Sequence, residues 1–183
     1  SSTTANRTRP RAWPNSTACR SRPRRVGSPA PAAKDSSHPD AEDGQVRPMG
    51  ADRISVALTI DATPERVWHA LTTGRREWWP EMVFDATPGA TLVETWVENG
   101  VTFQATGAVV TVQAPHLLAF EWSEPEWQGT LTVSIRLAAD DDSGTRVTVE
   151  ERGFTSITAP AALASEHEAG WGYHLNQLRQ ATR

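Results

Sequence analysis

The chain has 183 residues, 38% of them hydrophobic, and a formal net charge of −4. That suits a single folded domain with a tail. A lone cysteine, Cys19, excludes an intramolecular disulfide and a thiolate metal site. No apolar run approaches the roughly 18 residues of a membrane-spanning helix. Charge is split along the chain: residues 1–50 carry nine Lys/Arg and four Asp/Glu, a net of +5, which leaves −9 for residues 51–183. An acidic folded part argues against nucleic acid as its partner.

Residues 1–52 show no hydrophobic period. Seven of the thirteen prolines fall in the first 50 positions, so the segment is expected to be a disordered Pro/Arg/Ser-rich tail. A targeting peptide and a basic arm are the functional readings of its charge. The prolines oppose an amphipathic helix, and an apolar h-region is lacking. The plainer reading is a dispensable extension, with the natural chain beginning at Met49. The folded domain is expected over 53–183, which holds seven of the eight tryptophans.

"RISVALTI" (53–60) alternates strictly and predicts a half-buried strand with Ile54, Val56, Leu58 and Ile60 on one face. Thr63 suits a helix N-cap, Pro64 the first helical position and Glu65 the first turn. Val67, Trp68 and Leu71 form the apolar stripe, and Thr73-Gly74 ends the helix. "RREWWPEM" predicts one further helical turn, stopped by Pro80. Strand-like runs follow at 91–97, 102–113, 117–123, 130–138 and 145–152. Asn99-Gly100 is a hairpin signal, and Gly107 marks a bulge or a close approach. Short connections imply an antiparallel meander.

The last element, "SEHEAGWGYHLNQLRQ" (165–180), is helical, with Trp171, Leu175 and Leu178 on one face. It starts at Pro160 or at a Ser165-x-x-Glu168 capping box. Gly170 and Gly172 each cost about 1 kcal/mol in a helix interior. A lone long helix buries its stripe on the one available sheet, so the fold class is α+β.

These residues resemble a family. Pro64, Val67, Trp68, Ala70, Leu71, Trp78, Trp79 and Pro80, then "GTRVT" (144–148), His167, Gly170-Trp171, Leu175 and Leu178, are similar to the Hsp90-ATPase-activator-like branch of the START-like (SRPBCC) superfamily. The resemblance spans 53–182. Ala90 stands where members usually have a second glycine after Gly89. It implies a helix-grip fold: a curved antiparallel sheet around the long C-terminal helix, two short helices after the first strand, and an apolar cavity between sheet and helix. On that reading Gly170 lets the helix pass close and Trp171 walls the space.

The resemblance implies a ligand cavity lined by Trp68, Trp78, Trp79, Trp96, Phe103, Phe120, Trp122, Trp171 and His174, with Trp127 a further candidate. The competing reading of these aromatics is core and rim packing. His167 and His174, seven apart, lack the spacing of a zinc helix. They read as polar groups on the helix flank, with general acid/base work as the functional alternative. Glu94, in phase with Leu92 and Trp96, is a candidate inward base against a rim placement; Glu121 opposes Phe120 and Trp122. His69 and His116 read as surface residues. Asp140, Asp142 and Glu151 mimic calcium-loop positions, but Thr145 replaces the required glycine, so a hairpin turn is expected.

The expected function is binding of a small hydrophobic or aromatic molecule, with no cofactor and no metal. A cofactor-free polyketide cyclase or dehydratase, with Glu94, Glu121, Tyr173 and His174 as its polar groups, is the enzymatic alternative. A chaperone-interacting module is the third, and a chaperone or a weak homodimer the protein partner. The expected location is the cytoplasm.

Overall fold

The alternation of 53–60 forms β1, Arg53–Ile60, in a computed structural model that describes residues 52–140, 144–158 and 161–183. The expectations for the tail, the Met49 start, Asp142 and a helix start at Pro160 fall outside the described residues. Helix α1, Pro64–Leu71, begins where expected: the Thr63 side chain accepts from the Arg66 amide and Pro64 takes the first turn. A 3-10 turn, Arg75–Glu77, follows. The Trp78 indole donates to the Ala70 carbonyl at 2.9 Å and so satisfies one of the open carbonyls at the end of α1.

The sheet continues through β2 (Met82–Val83), β3 (Thr91–Glu98), β4 (Val101–Gln113), β5 (Leu117–Ser123), β6 (Leu131–Ala139) and β7 (Thr145–Arg152). Its order is β1-β7-β6-β5-β4-β3-β2, with every pairing antiparallel. The chain thus meanders from β2 to β7 and closes back on β1. Asn99 and Gly100 both take positive φ, 50° and 77°, the geometry of a two-residue hairpin turn matched to sheet twist. β2 is an addition to the expected strands.

Of the two readings of Gly107 one holds, and the capping-box start of the last helix is corrected. The register shift of β4 against β5 falls between Val109 and Thr111, not at Gly107. Gly107 is instead the close approach: a Cβ there would lie 1.8 Å from the Glu121 carbonyl oxygen. The long helix α2, Leu163–Ala181, starts upstream of the Ser165 capping box, with Ala162 at the N-cap. Ser165 is therefore inside the first turn, where its hydroxyl donates to the Ala162 carbonyl at 2.8 Å.

Helix α2 lies on the sheet beside β1, and its Trp171, Leu175 and Leu178 join Phe120, Trp122, Val133, Ile135, Val147 and Val149 in one buried core, with Trp171 against the Phe120 and Trp122 rings. One buried Trp removes about 200 Å² from water, an upper bound of roughly 5 kcal/mol. The C-terminal end of α2 is tied to α1: Arg66 Nε donates to the Thr182 carbonyl at 2.7 Å and Nη2 to that of Arg183 at 3.1 Å. Among the described residues no helix is long and apolar enough to cross a membrane.

Candidate functional site

Alternation on β7 puts Val147, Val149 and Glu151 on the face that α2 covers, so a carboxylate enters the core in phase with two valines. Glu151 has no exposed surface. Its Oε1 accepts from Trp122 Nε1 at 2.8 Å, and its Oε2 accepts from Trp171 Nε1 at 2.8 Å. His167 Nδ1 lies 2.9 Å from the same Oε2. Indole N–H only donates, so both oxygens act as acceptors, and Nδ1–H is the tautomer that completes the set. His167 and Trp171 are one turn apart on α2, which lets both reach one carboxylate. Hydrogen bonds to a charged group contribute about 1.5–3 kcal/mol each. Together they offset a desolvation penalty of several kcal/mol.

The other sides of His167 are aromatic. Trp127 and Phe154 lie with ring centroids 5.6 Å from the imidazole, and Trp122 lies 5.9 Å away. Trp127 comes from the β5–β6 loop and Phe154 from the segment after β7. Glu124, in the same β5–β6 loop, is half-buried, and its desolvation pushes its carboxyl up to about 7. Nearby His167 opposes the rise, while Glu126 and Glu166 add to it. Near neutral pH Glu124 is therefore divided between acid and carboxylate, beside an imidazole fixed by Glu151.

A second carboxylate is built the same way. Glu94 on β3, in phase with Leu92, has no exposed surface and accepts from Trp79 Nε1 at 3.0 Å. Trp79 stacks on His174 at 4.0 Å with 25° between planes and meets Trp171 edge-on at 5.9 Å. A continuous aromatic layer thus joins Glu94 to Glu151 beneath α2. His167 and His174 are both buried, which corrects their expected place on the helix flank: the Trp171 face is wide enough to carry them inward. The rim placement considered for Glu94 is likewise corrected. Glu121, His69 and His116 are exposed, and Tyr173 is half-buried.

Of the residues expected to line a cavity, Trp79, Phe120, Trp122, Trp171 and His174 are 1–3% exposed and pack against one another. Trp78 is half-buried, 6.5 Å from His174. Trp96 and Phe103, also half-buried, stack across the β3–β4 hairpin at 5.9 Å, and the buried Trp96 Nε1 has no acceptor among the described residues. Trp68 lines a separate pocket beside the 3-10 turn. Glu151 and Glu124 were not anticipated as site residues. The Val147–Val149–Glu151 phase was the available signal for the first; Glu124 sits in a loop without a period. Glu151 inside the core is also incompatible with a calcium loop. Among the described residues no group of three or more His, Cys, Asp or Glu could hold a metal ion.

Comparison with known proteins gives the fold a context. The family described as Activator of Hsp90 ATPase homolog 1-like protein matches residues 61–183. No curated protein matches in sequence. Among solved structures, CalU16 from Micromonospora echinospora is 23% identical, with a TM-score of 0.55 over 71% of this chain and 75% of its own. Mll3558 from Rhizobium loti is 20% identical, with a TM-score of 0.61 over 70% of this chain and 95% of its own. DynU16, a protein of the dynemicin biosynthetic locus, is 23% identical, with a TM-score of 0.58 over 70% of this chain and 46% of its own. These likenesses are of fold.

Proposed function

The chain belongs to the Activator of Hsp90 ATPase homolog 1-like family, and on that premise we propose that it binds a small hydrophobic or aromatic molecule at the aromatic layer between the sheet and α2. The observation that carries this reading is the Glu151 carboxylate, held by two indoles and His167 within that layer. A core selected for stability alone gains little from a buried ionic network, because well-packed apolar residues often do as well or better. Small-molecule sites combine an apolar wall with a few fixed polar groups, and that is the composition here. On this reading the ligand reaches His167 beside Phe154, the half-buried ring of the cluster. Its flat body packs on indole faces, and its polar group meets His167 and Glu124.

Glu124 favours a second reading, a cofactor-free acid–base enzyme. A carboxyl near 7 beside an oriented imidazole is matched to proton transfer at neutral pH. The chaperone reading draws on the family description alone. Incubating the protein with candidate aromatic compounds while recording indole Nε1–H resonances tests the binding proposal. Saturable shifts of the Trp122, Trp127 and Trp171 signals are expected; their constancy across compounds that bind elsewhere would count against it. Turnover of a bound compound, lost in Glu124→Gln with binding retained, would favour the enzyme.

A further inference from the structure

Arg75 opens the 3-10 turn and is 4% exposed. Its Nε donates to the Met82 carbonyl at 2.7 Å, and Nη1 donates to the Thr72 carbonyl at 3.3 Å. The Phe84 ring centroid lies 4.0 Å from Cζ. These contacts tie the end of α1 to β2, but they occupy two of the five guanidinium N–H groups. Neither acceptor is anionic, and among the described residues no carboxylate lies within ion-pair distance of Arg75. The exposed Asp85 attracts the guanidinium only at longer range, and a buried cation without a bonded counter-charge is costly.

Arg75 is nonetheless at the edge of a pocket. Arg75 lines a pocket of about 440 Å³ together with Trp68, Thr73, Arg76, Phe84 and Asp85. That volume is within the range of small-molecule pockets, and the pocket shares no residue with the Glu151–His167 site. Two arginines against one aspartate leave one positive charge in excess.

We propose that this pocket is an oxyanion subsite, in which the open side of the Arg75 guanidinium takes the carboxylate of a small organic acid and Trp68 flanks its apolar body. The planar guanidinium fork matches a carboxylate through two parallel hydrogen bonds. A monoanion neutralises the excess charge, whereas a phosphate dianion would leave the pocket negative beside Asp85. The carboxylate supplies a directly bonded counter-charge, whereas Asp85 attracts Arg75 only through space.

The test is a titration of the ¹⁵N-labelled full chain with benzoate and, separately, with inorganic phosphate, following the Arg75 Nε–H resonance. Burial and the bond to Met82 slow exchange of that proton with water. A saturable shift with benzoate, tighter than with phosphate, is expected. Asp85 and Arg76 are exposed, so Asp85→Asn and Arg76→Gln leave the fold intact. They are expected to strengthen and weaken benzoate binding respectively, each by about two- to fivefold, as exposed charge pairs do. Absence of a saturable shift with either anion overturns the site. Tighter binding of phosphate overturns the carboxylate assignment. Affinities indifferent to both variants show that the anion sits elsewhere and also overturn the proposal.

Discussion

Trp171 and Glu151 are joined by a 2.8 Å hydrogen bond from the indole Nε1 to Oε2. The heaviest side chain of α2 is therefore both a wall of the core and a donor to its buried carboxylate. Trp171→Phe keeps most of the ring and deletes the donor. It is expected to lower unfolding free energy by about 1–3 kcal/mol, measured by urea denaturation. Glu151→Gln turns an amide N–H₂ toward an indole or imidazole N–H, leaves donors facing each other, and is expected to cost about 3–5 kcal/mol. Wild-type stability in both variants would mean that the network is not formed in solution.

The glycines flanking Trp171 differ. Gly170 is buried, whereas a Cβ on Gly172 would meet nothing within 4 Å. Gly172→Ala is therefore expected to stabilise the protein by up to about 1 kcal/mol through helix propensity, read as a higher melting temperature. A lower one would show that the glycine serves a contact not seen here.

Gly107→Ala has the opposite sign. The added Cβ would collide with backbone of β5, at the Glu121 carbonyl, and strands cannot yield as a side chain does. A loss of about 2 kcal/mol or more is expected, in the range of overpacked sites. Wild-type stability in a denaturation curve would contradict the strand spacing at this point.

Glu124 sets a pH dependence. Its folded carboxyl is raised to about 7 from an ordinary 4.5, so between these values the folded state binds the additional proton. Stability attributable to this group is full below about pH 4.5, falls as pH rises toward 7, and stays low above it. The change is at most about 3 kcal/mol. Glu124→Gln is expected to flatten that fall and to be the more stable protein at pH 8. Denaturation of both proteins from pH 4.5 to 8 checks this; parallel profiles would mean that Glu124 is solvated.

What could be read from sequence follows the strength of local periods. β1 has the bounds that alternation predicts and β5 and β7 those of their strand-like runs, and α1 begins at its Thr63–Pro64 signal. The two residues of β2 are too few to show a period, and its pairing with β3 decides its existence. The aromatic members of the interior layer were visible as residue types, and the resemblance supplied the sheet–helix frame around them. The carboxylates were harder. Asp and Glu are rarely fully buried, so Glu151 reads only as the last position of a calcium-loop mimic, although its phase with Val147 and Val149 in the 145–152 strand points inward. The histidines were misplaced for a related reason: three apolar residues defined the α2 stripe too narrowly. Glu124 owes its character to the packing of its loop beside His167, which no local pattern encodes.

The most direct test is native mass spectrometry of the full chain purified from its own cells without refolding, alongside His167→Phe prepared identically. Binding at the aromatic layer predicts a wild-type adduct on the order of a few hundred daltons, the size that such pockets accept, released on gentle activation and diminished in the variant. Bare mass for both proteins, together with indole resonances that stay fixed when a small-molecule extract of the same cells is added, would contradict the account and leave the layer as core packing.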